Sequence, residues 1–173
     1  LVSCSSYTEL SRAIDQAESL AEENPNKALE IISNIDKSQL RSNEIKARYA
    51  LIYSEVSYYN RMLVNSDSLT RIAVAYYDKS NHHHERARAY FQHGMTLQLA
   101  GALPEAILAL REAHNSLDKY KDNRLEGVVY RLEGDIYRAS YLYRNSYNAY
   151  VEALQCFERE NLPYHTHYTL YNM

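Results

Sequence analysis

Three consecutive histidines, His82-His83-His84, are the residues in this chain whose type most invites chemistry. Imidazoles bind metals and move protons near neutral pH. Neighbours in a loop cannot all aim at one ion, and no Cys or spaced acidic partner supplies the remaining ligands of a tetrahedral site. A solvated loop is the expectation. His165 and His167 precede a helix, where capping or surface exposure accounts for them better than a metal. Glu133 and Asp135 flank Gly134, yet residues two apart on a helix point in different directions and make no acid and base pair. Cys156, near Leu154 and Phe157 on the apolar side of its helix, reads as a buried, inert thiol. The chain's two cysteines form no disulfide framework. No G-x-S-x-G, H-E-x-x-H or phosphate-cradling glycine loop occurs. The expectation is a protein that is not an enzyme and needs neither metal nor cofactor.

The elements that would position any site follow from a repeat. Ala73, Ala113 and Ala153 fall 40 residues apart, as do Ser54, Gly94 and Gly134, and as do Ser66, Ala106 and Ser146. Three small-residue columns moving in register at such a period mean stacked units. Stacked units offer an extended curved surface. With 4 Gly and 3 Pro in 173 residues, the chain lacks the turn punctuation of a sandwich, a barrel or an α/β fold. The formal net charge is -3, from 19 basic and 22 acidic residues mixed along the chain. No basic stripe is present to neutralise phosphates, so nucleic acid is not an expected partner. Tyrosine is the unusual residue, 18 against 2 Phe and no Trp. Rings with a polar tip suit half-buried seams and wet interfaces alike.

Apolar spacing predicts helices over 7–23 (Leu10, Ile14, Ala17, Ala21), a short one through Ala28 and Ile32, and a long one capped by Ser42 or Asn43. Further helices are predicted over 67–77, 83–100, 103–120, 124–141 and 145–158. Folded onto the period, they divide the chain into a tether at 1–6, a divergent first pair at 7–40, repeats at 43–82, 83–122 and 123–162, and the start of another repeat at 163–173. The longer links between repeats are expected over Asp78 to His84 and Lys121 to Arg124.

Residues in these columns resemble the tetratricopeptide repeat family. Tyr90, Gly94, Leu97, Ala106, Leu110 and Ala113 follow its order of large and small positions. Tyr130, Gly134, Tyr137, Ser146, Tyr150 and Ala153 repeat it, with Ser146 where the family prefers Ala. Ala50, Ser54, Ser57, Ser66, Thr70 and Ala73 match more weakly. The resemblance implies an all-α, right-handed α-solenoid of antiparallel helix pairs. Leu1-Val2-Ser3-Cys4 with Ser5-Ser6 resembles a bacterial lipobox, which would place a lipid on Cys4 and anchor the protein at the cell envelope, on the periplasmic or outer face. The chain contains no run of 18 apolar residues. The last residues are expected to be an interrupted repeat of a longer protein. Lipobox, divergent pair and 40-residue units together look like the tetratricopeptide-repeat lipoproteins and sensor-like proteins of Bacteroidetes.

In that family the first helix of each pair lines the inside of the superhelix. The inward positions carried onto this chain are Arg48, Leu51, Glu55, Tyr58 and Tyr59, then Arg88, Phe91, Met95, Gln98 and Leu99, then Val128, Arg131, Asp135 and Arg138. Such a mixed strip suits an extended peptide or a partner protein in a concave groove. The Lys and Asn of the family's carboxylate clamp are missing from it. Two other readings remain open: glycan binding by exposed tyrosine rings, and a structural spacer that dimerises a missing effector segment, so that a homodimer is possible.

Overall fold

The computed structural model describes residues 2–62 and 67–173, with side chains from Tyr7 onward. Ser66 and the side chain of Cys4, the lipidation candidate, lie outside the described residues. The chain is all-α, with α1 Val2–Leu20, α2 Pro25–Ser33, α3 Asn43–Tyr59, α4 Ser68–Tyr77, α5 His83–Leu99, α6 Leu103–Leu117, α7 Asn123–Ala139, α8 Tyr143–Arg159 and α9 Pro163–Asn172. A single 3-10 turn, Lys37–Gln39, stands between α2 and α3, and the described residues contain no strand. Among them, no helix is long and apolar enough to cross a membrane.

Two compact units form. One ends at Ser80 and holds α1 to α4; the other runs from Asn81 to Met173 and holds α5 to α9. In the first, α1 packs on α2 and α3, and α3 on α4. In the second, α5 pairs with α6 and α7 with α8, α6 meets α7, and α9 lies on α8. Consecutive pairing of helices is the helical-repeat architecture that the small-residue columns predict.

Close approach explains those columns. A Cβ built on Gly94 would stand 2.8 Å from Leu110 Cδ2 and 3.3 Å from the Ala106 carbonyl oxygen; one on Gly134 would stand 2.6 Å from the Tyr150 ring. Ala106, Ala113 and Ala153 are fully buried opposite them. Ser146, in the column of Ala106, donates from Oγ to the Gly134 carbonyl at 2.9 Å, so its hydroxyl is satisfied inside the seam. The core of the second unit gathers Phe91, Leu110, Leu117, Val129, Leu132 and Ile136. Burial of each large side chain contributes about 1.5–3 kcal/mol.

Turn geometry repeats with the same period. Arg61 (φ 55), Gly101 (φ 78) and Tyr141 (φ 60) all occupy the left-handed region at the end of the first helix of a pair. Behind each, the next amide donates back to a carbonyl in the last turn at 2.9 Å: Met62 to Ser57, Ala102 to Leu97 and Leu142 to Tyr137. This is the Schellman arrangement, which satisfies the last carbonyls of a helix. Side chains set the starts of α2, α3 and α7, where Asn24, Ser42 and Asp122 accept from Lys27, Ile45 and Leu125 amides at 3.2, 3.2 and 2.9 Å. Several boundaries differ from expectation, among them the ends of α1 at Leu20 and α6 at Leu117, each three residues early. Helix α1 begins at Val2, ahead of Tyr7. Helix α8 begins at Tyr143, because the backbone turn at Tyr141 and Leu142 starts it without a capping side chain. Helix α5 starts at His83 as expected, and α7 starts at Asn123, one residue ahead of Arg124.

Candidate functional site

The histidine run is not a solvated loop. His83 and His84 form the first turn of α5, half-buried, and only His82 is exposed. His84 stacks on Tyr120 with ring centroids 4.6 Å apart, and its Nε2 meets Asp122 Oδ2 at 3.0 Å. Asp122 also caps α7, so one carboxylate ties the start of α5 to the start of α7. The His84 hydrogen bond, opposed by burial and aided by the Leu125 amide, holds that carboxyl below its usual range. Among the described residues no group of three His, Cys, Asp or Glu is placed to hold a metal ion. His165 stacks on Phe157 at 4.9 Å, and His167 is exposed.

Glu133 and Asp135 diverge as their helical spacing requires. Glu133 turns to His114, 3.4 Å away, whereas Asp135 accepts from the Tyr150 hydroxyl at 2.6 Å and faces Arg138 at 3.4 Å. Burial, then the charge of Glu126, push the Cys156 thiol up to about 11. A thiol so poised is protonated and inert at neutral pH.

The inward strip divides by unit. In the first, Arg48 is engaged with Asp15 and donates to Ser11 Oγ at 2.8 Å, which fastens α3 to α1. Leu51 is buried in the core, so it packs a seam and is not available to a ligand. Glu55, Tyr58 and Tyr59 are half-buried, with the two rings 5.3 Å apart. In the second unit Phe91 is likewise a core residue, and Met95 and Val128 pack partly against it. Arg88 and Gln98 are half-buried, while Leu99 and Arg138 are exposed. Asp135 is held by Tyr150 and Arg138. Arg131 is buried, with 9% of its surface exposed, under the rings of Phe157 and Tyr168.

Tyrosine separates into seam and surface. Tyr49, Tyr77 and Tyr150 are core residues. Burial, then Glu126, Glu152 and Glu133, push Tyr130 up to about 12, so it stays protonated in its seam. Two open clusters escape sequence reasoning. One is Tyr164, Tyr168 and Tyr171 on α9, the last 89% exposed; their i, i+4, i+7 spacing was the available signal. The other is Tyr141, Tyr143 and Tyr147 at the α7–α8 turn, all exposed, with the Tyr141 and Tyr143 rings edge to face at 6.3 Å. Leu103 and Ile107, 40 residues before Tyr143 and Tyr147, pack against the core instead. Compared with protein-family models, curated proteins and solved structures, the chain matches none of them.

Proposed function

We propose that this protein is a non-enzymatic tetratricopeptide-repeat scaffold that binds a peptide or protein segment along the α5 and α7 face of its second unit. The observation that carries this reading is the half-open state of that face. Arg88, Met95, Gln98 and Val128 are only partly buried and Leu99 and Arg138 are exposed, while α6 and α8 seal the other sides of the same helices. Met, Leu and Val offer adaptable apolar contact, and arginines offer paired donors to carboxylates. Lipid anchoring at the cell envelope through Cys4 belongs to the same reading and rests on the L-V-S-C sequence alone.

Selection of a displayed random-peptide library against the protein tests it. Photo-crosslinks from selected peptides are expected at Met95, Leu99, Val128 or Arg138. Crosslinks confined to the outer surfaces of α6 and α8 would sink the proposal.

A second reading has one observation in its favour. Tyr141, Tyr143 and Tyr147 stand in the open beside exposed Arg144, Asn145 and Asn148. Rings that stack on sugar faces, with planar polar groups between them, suit a glycan. Retention on immobilised oligosaccharides that is lost when the three tyrosines become Ala would support it.

A further inference from the structure

Arg131 is a cation that the fold buries without giving it an acid. Arg48, Arg71, Arg86 and Arg138 each meet a carboxylate, of Asp15, Asp67, Glu112 and Asp135. For Arg131, no carboxylate of the described residues lies within the 4.0 Å of an ion pair. Its guanidinium carbon stands 5.0 Å from the centre of the Tyr168 ring and 6.0 Å from that of Phe157. Its hydrogen-bond contact among the described residues is Nη1 to His165 Nδ1, long at 3.4 Å. Rings soften the loss of water around a cation, but they do not use its fork of five N–H donors. A buried charge ordinarily requires a partner of opposite sign.

The surroundings say what could complete it. Tyr168, which covers the guanidinium, is itself 46% exposed, and Tyr164 stacks beside it with ring centroids 6.5 Å apart. Tyr164, Tyr168 and Tyr171 make one open stripe along α9. Two turns along α7, on the side that carries Arg131, Arg138 keeps half of its side-chain surface in solvent. Its contact with Asp135 is long at 3.4 Å, and the same Asp135 oxygen already accepts from Tyr150 at 2.6 Å. Seven helical residues separate the two arginines by about 10 Å. Three residues of a peptide in the polyproline II conformation span about 9 Å and return the side chain to the same face. The margin between α7 and α9 thus offers two cations at peptide spacing and a run of rings, which complements acidic side chains set among apolar ones.

We propose that Arg131, with Tyr168 as its cover and Tyr164 and Tyr171 beside it, is the subsite that takes a side-chain carboxylate of a bound acidic peptide. This rests on the reading of the α5 and α7 face as a peptide site and names the chemistry of its ligand. The Tyr168 ring gives way, the carboxylate accepts two parallel N–H bonds from the guanidinium, and the long contact to His165 is released. Arg138 takes an acidic residue three positions along.

The test uses two nonapeptides, acetylated and amidated so that neither has a charged end: Ala-Glu-Leu repeated three times, and the same with Gln for Glu. The Glu peptide is expected to bind the intact protein at least about tenfold more tightly than the Gln peptide, with a preference that shrinks as salt rises. Arg131→Gln is expected to abolish the preference without lowering the melting temperature, and Arg131→Lys to keep part of it, since the charge remains but the fork is lost. Tyr168→Ala should weaken both peptides. Equal binding of the two peptides, or a preference that survives Arg131→Gln, overturns the carboxylate subsite and leaves the peptide reading standing. A lowered melting temperature in Arg131→Gln with the preference intact makes Arg131 a seam residue only. If neither nonapeptide binds up to about 1 mM while library-selected peptides do, the subsite falls alone; if no peptide of either kind binds, both readings fall.

Discussion

Gly134 and Tyr150 are packed so closely that a Cβ on the glycine would stand 2.6 Å from ring carbon Cδ1. Gly94 meets Leu110 in the same way one repeat earlier, at 2.8 Å. The column of small residues is therefore a spacing rule between the two helices of a pair. Gly134→Leu and Gly94→Leu should each overpack a seam and cost about 1–3 kcal/mol. Urea denaturation of the two variants checks this, and wild-type midpoints would break the assignment of the columns.

Tyr141 takes a left-handed conformation, φ 60, at the place where the preceding repeat has Gly101. Such a conformation costs an L-residue about 1–2 kcal/mol, and glycine returns about 0.5–1 kcal/mol of that as chain entropy. Tyr141→Gly should therefore stabilise the protein by up to about 1 kcal/mol, readable as a rise in melting temperature. A fall would mean that the exposed ring itself supports the turn.

Asp122 contributes stability through its pairing with His84 and its cap on α7. Its carboxyl is held below the usual range, first by the His84 hydrogen bond. A depressed carboxyl adds stability that is present above its unfolded value and disappears as pH falls through its folded one. The window lies below about pH 4. Asp122→Asn keeps a capping oxygen but removes the charge. The variant should be less stable than wild type at about pH 6, and the difference should shrink towards about pH 3. Denaturation at the two pH values decides it; a constant difference would place the effect in packing.

Cys156 is buried, and its thiol is pushed up to about 11. Alkylation at neutral pH should leave it unmodified in the folded protein and label it in denaturant, as peptide mapping by mass spectrometry would show. Rapid labelling of the native protein would mean that α8 opens readily.

The repeat was legible because its cause is local: Gly94, Gly134, Ala113 and Ala153 must be small wherever two helices touch, and that need leaves a period in the chain. Ser42 was legible as a helix start through its capping chemistry. Tyrosine exposure was not, since Tyr147 and Tyr150 differ by three residues of register, one open and one fully buried, and composition treats them alike. The start of α8 was hidden because its turn is built on Tyr141 where a glycine would have announced it. The inward strip carried no information on depth. Leu51 and Phe91 sink into their cores, and Arg131 goes under rings supplied by α8 and α9, a tertiary contact that spacing along α7 does not reveal.

The proposed binding surface is the α5 and α7 face. Its most direct test is the affinity of a library-selected peptide for wild type, for Arg88→Ala/Leu99→Ala/Arg138→Ala, and for Tyr141→Ala/Tyr143→Ala/Tyr147→Ala. A loss of at least about tenfold is expected in the first triple variant, with its melting temperature nearly unchanged, and wild-type affinity in the second. Full affinity in the first together with loss in the second would contradict it and move the site to the α7–α8 turn.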